Sequence, residues 1–168
     1  MDSKNNLLIY VVEDNKIYNH FITQYLKKQG YSNVKSFLLG KECIDLVAGG
    51  EMPDIVIQDY FLDDCTGIEV MKDVKKHSKK SEFIFLTVNG SLEEAVKTIK
   101  LGAFDYILKD KDVTLKKVAD NIEEIATLFE LRKKHIVIRI AKILSLIVLV
   151  FIVLFAVLHF FFNAFGIT

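Results

Sequence analysis

Three short apolar runs, each followed by a segment of helical length, constrain the fold of this chain more than any other feature. Leu7–Val12, Asp54–Gln58 and Phe83–Val88 are nearly continuous in apolar residues and rich in Ile, Val and Phe. Such runs are typical of strands that are covered on both faces, as in a parallel sheet. Val34–Phe37 and Asp105–Leu108 are predicted to be two weaker strands.

Segments of helical length separate these strands, so that strand and helix alternate five times along the chain. The predicted helices are Lys16–Gln29, Gly40–Ala48, Ile68–His77, Leu92–Leu101 and Val113–Lys134. Parallel strands need crossover connections, and these are right-handed in nearly all proteins. The alternation therefore predicts a doubly wound α/β domain with a parallel sheet.

Five polar residues stand at the carboxyl ends of predicted strands. Glu13 and Asp14 follow the first strand, Asp59 follows the third, Thr87 ends the fourth and Lys109 follows the fifth. In an open parallel sheet these strand ends face one crevice, where ligands bind. Taken singly, each residue would be a strand-end cap or a solvated charge, but together in strand order they predict a site.

The chemistry of these side chains suits a metal ion and a phosphoryl group. Carboxylates such as Glu13, Asp14 and Asp59 are oxygen ligands of the kind that Mg²⁺ prefers. A carboxylate can also act as a nucleophile and become an aspartyl phosphate. Positive charge around the phosphoryl group would come from the cation and Lys109, with a hydrogen bond from Thr87. We assign the neighbouring pair Asp63–Asp64 to the loop.

The carboxyl-terminal part of the chain has a different character. Within Ile143–Phe162 only Ser145 and His159 are polar, and no formal charge follows Lys142. A helix of this length reaches about 30 Å, the thickness of the hydrocarbon core of a bilayer. A buried core helix or an oligomerisation helix is the alternative, which the apolar character of every face disfavours. We expect a transmembrane helix over residues 143–162, followed by a short tail, residues 163–168.

Basic residues crowd the segment before the predicted transmembrane helix, residues 131–142, which we expect to be a basic juxtamembrane helix. They are Arg132, Lys133, Lys134, Arg139 and Lys142. Because loops on the cytoplasmic side are enriched in lysine and arginine, we expect the amino-terminal domain in the cytoplasm. The expected location is the cytoplasmic membrane, crossed once.

Charge and cysteine content narrow the class of protein further. The chain has 22 basic and 22 acidic residues, for a formal net charge of +0. This balance gives no reason to expect a nucleic-acid partner, which usually requires a basic patch. Cys43 and Cys65 have no metal-ligand or redox spacing, so we expect free thiols in a reducing compartment.

Four stretches carry a recognisable pattern, namely Val11–Asn15, Asp54–Asp59 with Gly67 after it, Leu86–Thr87 and Gly102–Lys109. Together they make residues 5–130 resemble the receiver domain of bacterial response regulators. The resemblance implies a five-stranded parallel sheet with strand order 2-1-3-4-5. It also implies a regulatory phosphoacceptor domain, not an enzyme, that at most catalyses its own phosphorylation and dephosphorylation.

The resemblance assigns a role to each residue at the strand ends. Asp59 would be the phosphoacceptor, and Thr87 and Lys109 would contact the phosphoryl group. Tyr106 would be a switch residue that turns inward when Thr87 moves towards the phosphate, although it could also be an ordinary tyrosine of an edge strand. Mg²⁺ would be held by four groups: the side chains of Glu13, Asp14 and Asp59, and the backbone carbonyl of Phe61.

The chain departs from the pattern of this family at three places. Asp110 stands where the family usually has a proline after a cis peptide bond, so we expect a trans bond and a loop of different shape. Val88 replaces a small residue, and we expect it to narrow access to Asp59. Asp63–Asp64 replaces a Met-Pro pair that many relatives carry.

The leading hypothesis is a membrane-tethered, single-domain response regulator. It would accept a phosphoryl group on Asp59 from a histidine kinase or a phosphotransfer protein, and it would signal by binding a partner or by assembly, for example as a homodimer. The alternative is a scaffold with a receiver fold that acts without phosphorylation. A flavin binder is disfavoured because Glu13 and Asp14 would repel its phosphate, and a dehalogenase-type phosphatase because Asp59 follows the third strand.

Overall fold

Five parallel strands form one sheet, and helices connect them, in the computed structural model of the chain. The structure describes residues 6–88, 90–110 and 114–164, and only the helical backbone of residues 161–164. The strands are β1 Ile9–Val12, β2 Val34–Phe37, β3 Ile55–Asp59, β4 Glu82–Thr87 and β5 Asp105–Leu108. The helices are α1 Lys16–Lys28, α2 Gly40–Ala48, α3 Gly67–His77, α4 Leu92–Lys100 and α5 Thr114–Ala164.

The order of the strands in the sheet is β2-β1-β3-β4-β5, with every neighbouring pair parallel, which confirms the predicted fold class. The residues of β1 and β3 are buried throughout, because helices cover both faces of the sheet at its centre. β2 lies at one edge, and its two middle residues are exposed. The weaker apolar character of β2 in the sequence thus reflects its edge position.

Two of the predicted site residues are strand residues, although the sequence predicts Asp59 directly after its strand. Asp59 is the last residue of β3, and Thr87 is the last residue of β4. The ladder pairs Asp59 with Leu86, so Thr87 lies one residue further along the neighbouring strand. Regular backbone hydrogen bonding therefore extends into the predicted site and fixes where these two residues lie.

The described chain divides into two units after Ala126. The first unit contains the sheet. The second consists of the later part of α5, which is one continuous helix as far as Ala164. This helix is long and apolar enough to cross a membrane, and none of its most apolar stretch is buried. The expected start of the fifth helix at Val113 and the end of the predicted tail, residues 165–168, lie outside the described residues.

Gly67, the first residue of α3, lies where the helix approaches β3 most closely. A Cβ atom on it would overlap the carbonyl oxygen of Asp59 and would lie 2.9 Å from the ring of Phe85. The backbone of Gly67 also takes part in this contact, because its carbonyl accepts a hydrogen bond of 2.7 Å from the buried amide of Gln58. Glycine is required here because a side chain has no room. Its backbone conformation is an ordinary helical one, which other residues could also adopt.

We expect Gly67→Ala to lower the free energy of unfolding by about 1–3 kcal/mol, because the added methyl group has no room beside rigid backbone. The measurement is urea unfolding of the full-length chain in mild detergent, followed by the near-ultraviolet circular dichroism of tyrosine. Gly49→Ala is the matched control, since Gly49 caps α2 with φ of −72°. There we expect a change below about 1 kcal/mol. Equal losses in both variants would contradict the steric argument.

Candidate functional site

The loop after β1 holds the first two acidic residues in place. The amide of Asn19 donates hydrogen bonds to the carbonyl oxygens of Glu13, at 3.1 Å, and of Phe37, at 2.8 Å. The side chain of Asn15 caps α1 by accepting hydrogen bonds from the backbone of its first turn. Glu13 is therefore buried, with 2% of its surface exposed, while Asp14 is partly exposed.

Lys109 joins two of the predicted carboxylates. Its Nζ lies 2.7 Å from Oε2 of Glu13 and 2.5 Å from Oδ2 of Asp59. Only 8% of the lysine side chain is exposed, so both ion pairs are shielded from water. The other oxygen of Asp59, Oδ1, accepts a hydrogen bond of 3.3 Å from the backbone N–H of Phe61. The site is thus a buried ammonium between two carboxylates that are far apart in the sequence.

Burial and charge act in opposite directions on the pKa values of this group. Burial raises the pKa of the Glu13 carboxyl above its ordinary value; the charges of Asp59 and Asp14 raise it further, and the Lys109 ammonium lowers it. Burial alone would lower the pKa of Lys109, but its hydrogen bonds to Asp59 and Glu13 outweigh burial and raise it. Lys109 is therefore charged at neutral pH and partly neutralises the acidic group.

The acidic group has the geometry of a cation site. Carboxylate oxygens of Glu13, Asp14 and Asp59 lie within 4.8 Å of one another. These ligands are all oxygens and partly exposed at Asp14, which fits Mg²⁺, an ion that is usually held by one or two carboxylates and water. The residues present therefore fit a magnesium ion. The predicted fourth ligand, the carbonyl of Phe61, stays a prediction.

Tyr18, which the sequence analysis did not single out, also contacts Lys109. The lysine Nζ lies 4.6 Å from the centre of the tyrosine ring, within the range of a cation–π interaction. Burial raises the pKa of the Tyr18 hydroxyl, so this side chain remains neutral. Tyr18 lies in the first turn of α1, but no local pattern marks a tyrosine there as the contact of a lysine that follows β5.

Tyr106 faces inward, into a cluster of aromatic rings. Its ring stacks on Phe85 with centroids 6.4 Å apart and meets Tyr60 edge to face at 6.0 Å. Its hydroxyl is buried. Burial raises the pKa of Tyr106, whereas an interaction with the side chain of Thr87 lowers it. A Cβ atom on Gly90 would lie 2.5 Å from this hydroxyl and 2.9 Å from Cγ2 of Thr87. Tyr106 and Thr87 therefore line the same narrow space, which glycine keeps open.

The loop that lacks the family's proline is tied to the start of α5. The Lys109–Asp110 peptide is trans, as expected. The backbone N–H of Asp110 donates a 2.6 Å hydrogen bond to Oγ1 of Thr114, and this hydroxyl in turn donates to the Asp110 carbonyl at 2.7 Å. Together with a 2.7 Å hydrogen bond from the Lys109 N–H to the Thr87 carbonyl, these contacts aim the lysine at the acidic group.

Two further residues that differ from the family pattern have clear positions. Val88 is 66% exposed, so most of its side chain lies in solvent; a narrowing of the access to Asp59 stays a prediction. Asp64 accepts hydrogen bonds of 2.9 Å from the backbone N–H groups of Gly40 and Lys41, at the start of α2. Burial would raise the pKa of Asp64, but these hydrogen bonds lower it overall. Asp64 therefore caps the amino-terminal end of α2. This agrees with its predicted position in the loop.

An acidic group and a lysine at the carboxyl ends of a parallel sheet of order 2-1-3-4-5 define a receiver-type domain. The chain belongs to the response regulator receiver domain family, whose match covers residues 9–123. Domains of this family are regulatory phosphoacceptors of two-component signalling and typically bind Mg²⁺ at an acidic pocket.

Similar proteins agree with this assignment. The transcriptional regulatory protein CssR of Bacillus subtilis is 31% identical over 101 residues, which are 60% of this chain and 44% of CssR. The beryllofluoride-activated receiver domain of DrrB from Thermotoga maritima is 28% identical, with a TM-score of 0.59 over 70% of this chain and 97% of that one. A receiver domain from Methanospirillum hungatei shares the fold, with a TM-score of 0.68, 24% identity and coverage of 75% and 98%.

The likeness is confined to one part of the curated relatives. Regulatory protein AtoC of Escherichia coli is 33% identical over 61 residues, which are 36% of this chain and 13% of AtoC. The chain spans between 13% and 46% of the length of four curated relatives that it matches. What those proteins do as a whole therefore does not transfer to this chain.

We expect Lys109→Met to lower the free energy of unfolding by about 3–5 kcal/mol at pH 8 without Mg²⁺, because two buried carboxylates lose their shared partner. The substitution also removes the hydrogen bond and the positive charge of Lys109, both of which lower the pKa of Glu13. When a carboxyl group has a higher pKa in the folded than in the unfolded protein, the free energy of unfolding falls as pH rises. The deficit should therefore be larger at pH 8 than at pH 5, measured by urea unfolding.

Lys117→Met is the matched control for this prediction. Lys117 pairs with Asp105 at 3.3 Å, and 49% of its side chain is exposed. Such a pair contributes less than about 1 kcal/mol, so we expect a small effect with little dependence on pH. A deficit for Lys109→Met that is equally small, or equal at both pH values, would contradict the account of the site.

Proposed function

We propose that this chain is a receiver that accepts a phosphoryl group on Asp59 from a histidine kinase or a phosphotransfer protein. The observation that carries the proposal is the buried ammonium of Lys109, which contacts both Glu13 and Asp59 at the strand ends. A carboxylate nucleophile, an oxygen-ligand group and a lysine are the parts that phosphoryl transfer to an aspartate needs.

In the proposed reaction, a carboxylate oxygen of Asp59 attacks the phosphorus atom of a phosphohistidine. A phosphorus–oxygen bond forms to Asp59, the phosphorus–nitrogen bond breaks, and its electron pair remains on the imidazole. The carboxylates of Glu13, Asp14 and Asp59 and the carbonyl of Phe61 would hold Mg²⁺, which would supply positive charge beside the phosphoryl group. Lys109 turns from the carboxylate of Asp59 to a phosphoryl oxygen, and remains within reach of Glu13.

Thr87 and Tyr106 would report the phosphorylation to the rest of the domain. The Thr87 hydroxyl would donate a hydrogen bond to the phosphoryl group, and Tyr106 would occupy the space beside it. The support is the narrow space that both residues line and the interaction between their side chains. A buried hydroxyl that loses a partner costs free energy, so a movement of Thr87 can shift Tyr106 from its inward position.

We further propose that residues 143–162 cross the cytoplasmic membrane once. The basic juxtamembrane helix, residues 131–142, would then lie on the cytoplasmic side with the receiver domain, residues 5–130, and the short tail, residues 163–168, on the other side. The support is the uninterrupted and unburied apolar stretch of α5. Output would come from a partner or from assembly, for example as a homodimer, at the membrane surface.

Phosphorylation is tested by the intact mass of the full-length chain in mild detergent. After incubation with acetyl phosphate and Mg²⁺, we expect the mass of one added phosphoryl group, about 80 Da by the chemistry of the adduct. Asp59→Asn and removal of Mg²⁺ should each abolish it. Asp63→Asn is the matched control, because Asp63 lies in the loop after β3 and should leave the addition intact.

Failure with acetyl phosphate would call for the same test with histidine kinases as phosphodonors. Absence of the adduct with both kinds of donor, in a chain that remains folded, would favour the scaffold that acts without phosphorylation. An adduct that persists in Asp59→Asn would place the phosphoacceptor elsewhere.

Membrane insertion is tested by alkaline carbonate extraction of membranes from cells that express the full-length chain. We expect the chain to remain in the membrane fraction and Leu149→Lys/Phe151→Lys to be extracted, since each lysine at the centre of a span costs about 2.5–3.5 kcal/mol. Leu149→Ala/Phe151→Ala is the control and should remain. Extraction of the unmodified chain would reject the span.

A further inference from the structure

Four basic side chains of the juxtamembrane helix lie on one face. Arg132, His135, Arg139 and Lys142 are separated by three, four and three residues within α5, and residues so spaced lie on the same side of a helix. All four side chains are exposed. This row of Arg132, His135, Arg139 and Lys142 is called the basic row below.

Apolar residues make up the rest of the helix surface around Arg139 and Lys142, the carboxyl-terminal end of the basic row. Between His135 and Lys142 every residue other than Arg139 is apolar, and the chain continues into the proposed span without another charge. The side chains of Ile136, Val137 and Ile138 are exposed, by 55%, 65% and 53%. Arg139 and Lys142 therefore lie at a boundary between apolar surface and charge.

This inference rests on the proposed span of residues 143–162. Given that span, helix geometry sets the depth of Arg139 and Lys142 in the bilayer. With a rise of about 1.5 Å per residue, Lys142 lies about 1.5 Å and Arg139 about 6 Å outside the hydrocarbon core. The headgroup layer is about 5–7 Å thick on each side of a bilayer. Both cations thus lie at the depth of lipid phosphates, where their long side chains reach the phosphates while the stems remain in apolar surroundings.

No acidic residue of the described second unit lies on the same face as Arg139 and Lys142. The one acidic residue of the described second unit, Glu130, contacts Lys133 at 3.3 Å, on another face of the helix. From Leu131 onwards the chain has no acidic residue. An arginine forks onto two phosphate oxygens and a lysine adds a point charge, so the pair Arg139 and Lys142 suits one phosphodiester.

We propose that Arg139 and Lys142, the two members of the basic row nearest to the proposed span, bind the phosphate of an anionic phospholipid in the cytoplasmic leaflet. An acidic protein is a poorer match, because the cations are flanked by isoleucine and valine at the depth of the headgroups. The bound lipid would fix how the helix is rotated about its axis in the bilayer. Charges of this kind contribute about fivefold each to the binding of an anionic surface.

The test is native mass spectrometry of the full-length chain in mild detergent, titrated with phosphatidylglycerol or phosphatidylcholine. We expect phosphatidylglycerol to bind at a concentration at least tenfold lower than phosphatidylcholine. Arg139→Gln/Lys142→Gln should lose this preference, by about thirtyfold if both charges contribute fully. Lys133→Gln/Lys134→Gln removes the same charge from other faces, about 13–15 Å outside the core, and should keep the preference.

Three results would overturn the proposal. The first is the absence of a preference for phosphatidylglycerol in the unmodified chain. The second is an equal loss of preference in both double variants, which would show a diffuse effect of charge. The third is displacement of the lipid by millimolar inorganic phosphate, which would show a site for the free anion. Carbonate extraction of the same variants separates this inference from the proposed span. A chain that stays in the membrane without lipid preference rejects only the lipid site, whereas a chain that is extracted rejects both.

Discussion

The ammonium group of Lys109 makes the crowding of acidic residues at the end of the sheet tolerable. Glu13 and Asp59 are both buried, and two buried carboxylates next to each other would otherwise destabilise the fold or take up protons. The lysine contacts one oxygen of each, at 2.7 and 2.5 Å, and is itself shielded from water. This receiver can therefore keep its acidic group ready for a cation because the lysine that follows the last strand balances its charge.

The position of Lys109 depends in turn on contacts of the backbone on either side of it. Thr114 holds the loop at Asp110 through two short hydrogen bonds, and the backbone of Lys109 is tied to Thr87. The ring of Tyr18 lies under the ammonium and limits its movement on that side. The loop thus reaches the geometry of the site with a trans peptide, by side-chain hydrogen bonds instead of a fixed bend.

The helix of the second unit is long and apolar enough to cross a membrane. CssR and AtoC are longer chains that match here over part of their length. Here the sheet is followed by a helix whose basic and apolar parts have the order expected of a segment that enters a bilayer. On the proposed function, phosphorylation would act on partners that are gathered in two dimensions, where small changes in affinity have large effects on occupancy.

The sequence alone determined the alternation of strands and helices, since apolar runs of strand length and amphipathic segments of helix length are local properties. It also identified the polar residues of the crevice, because parallel topology brings every strand end to one edge. The tertiary structure decided which groups touch. Lys109 and Glu13 are 96 residues apart, Tyr18 comes from α1, and the caps that Asp64 supplies to α2 cross a loop. Such contacts depend on the directions of side chains from distant segments, which no local pattern specifies.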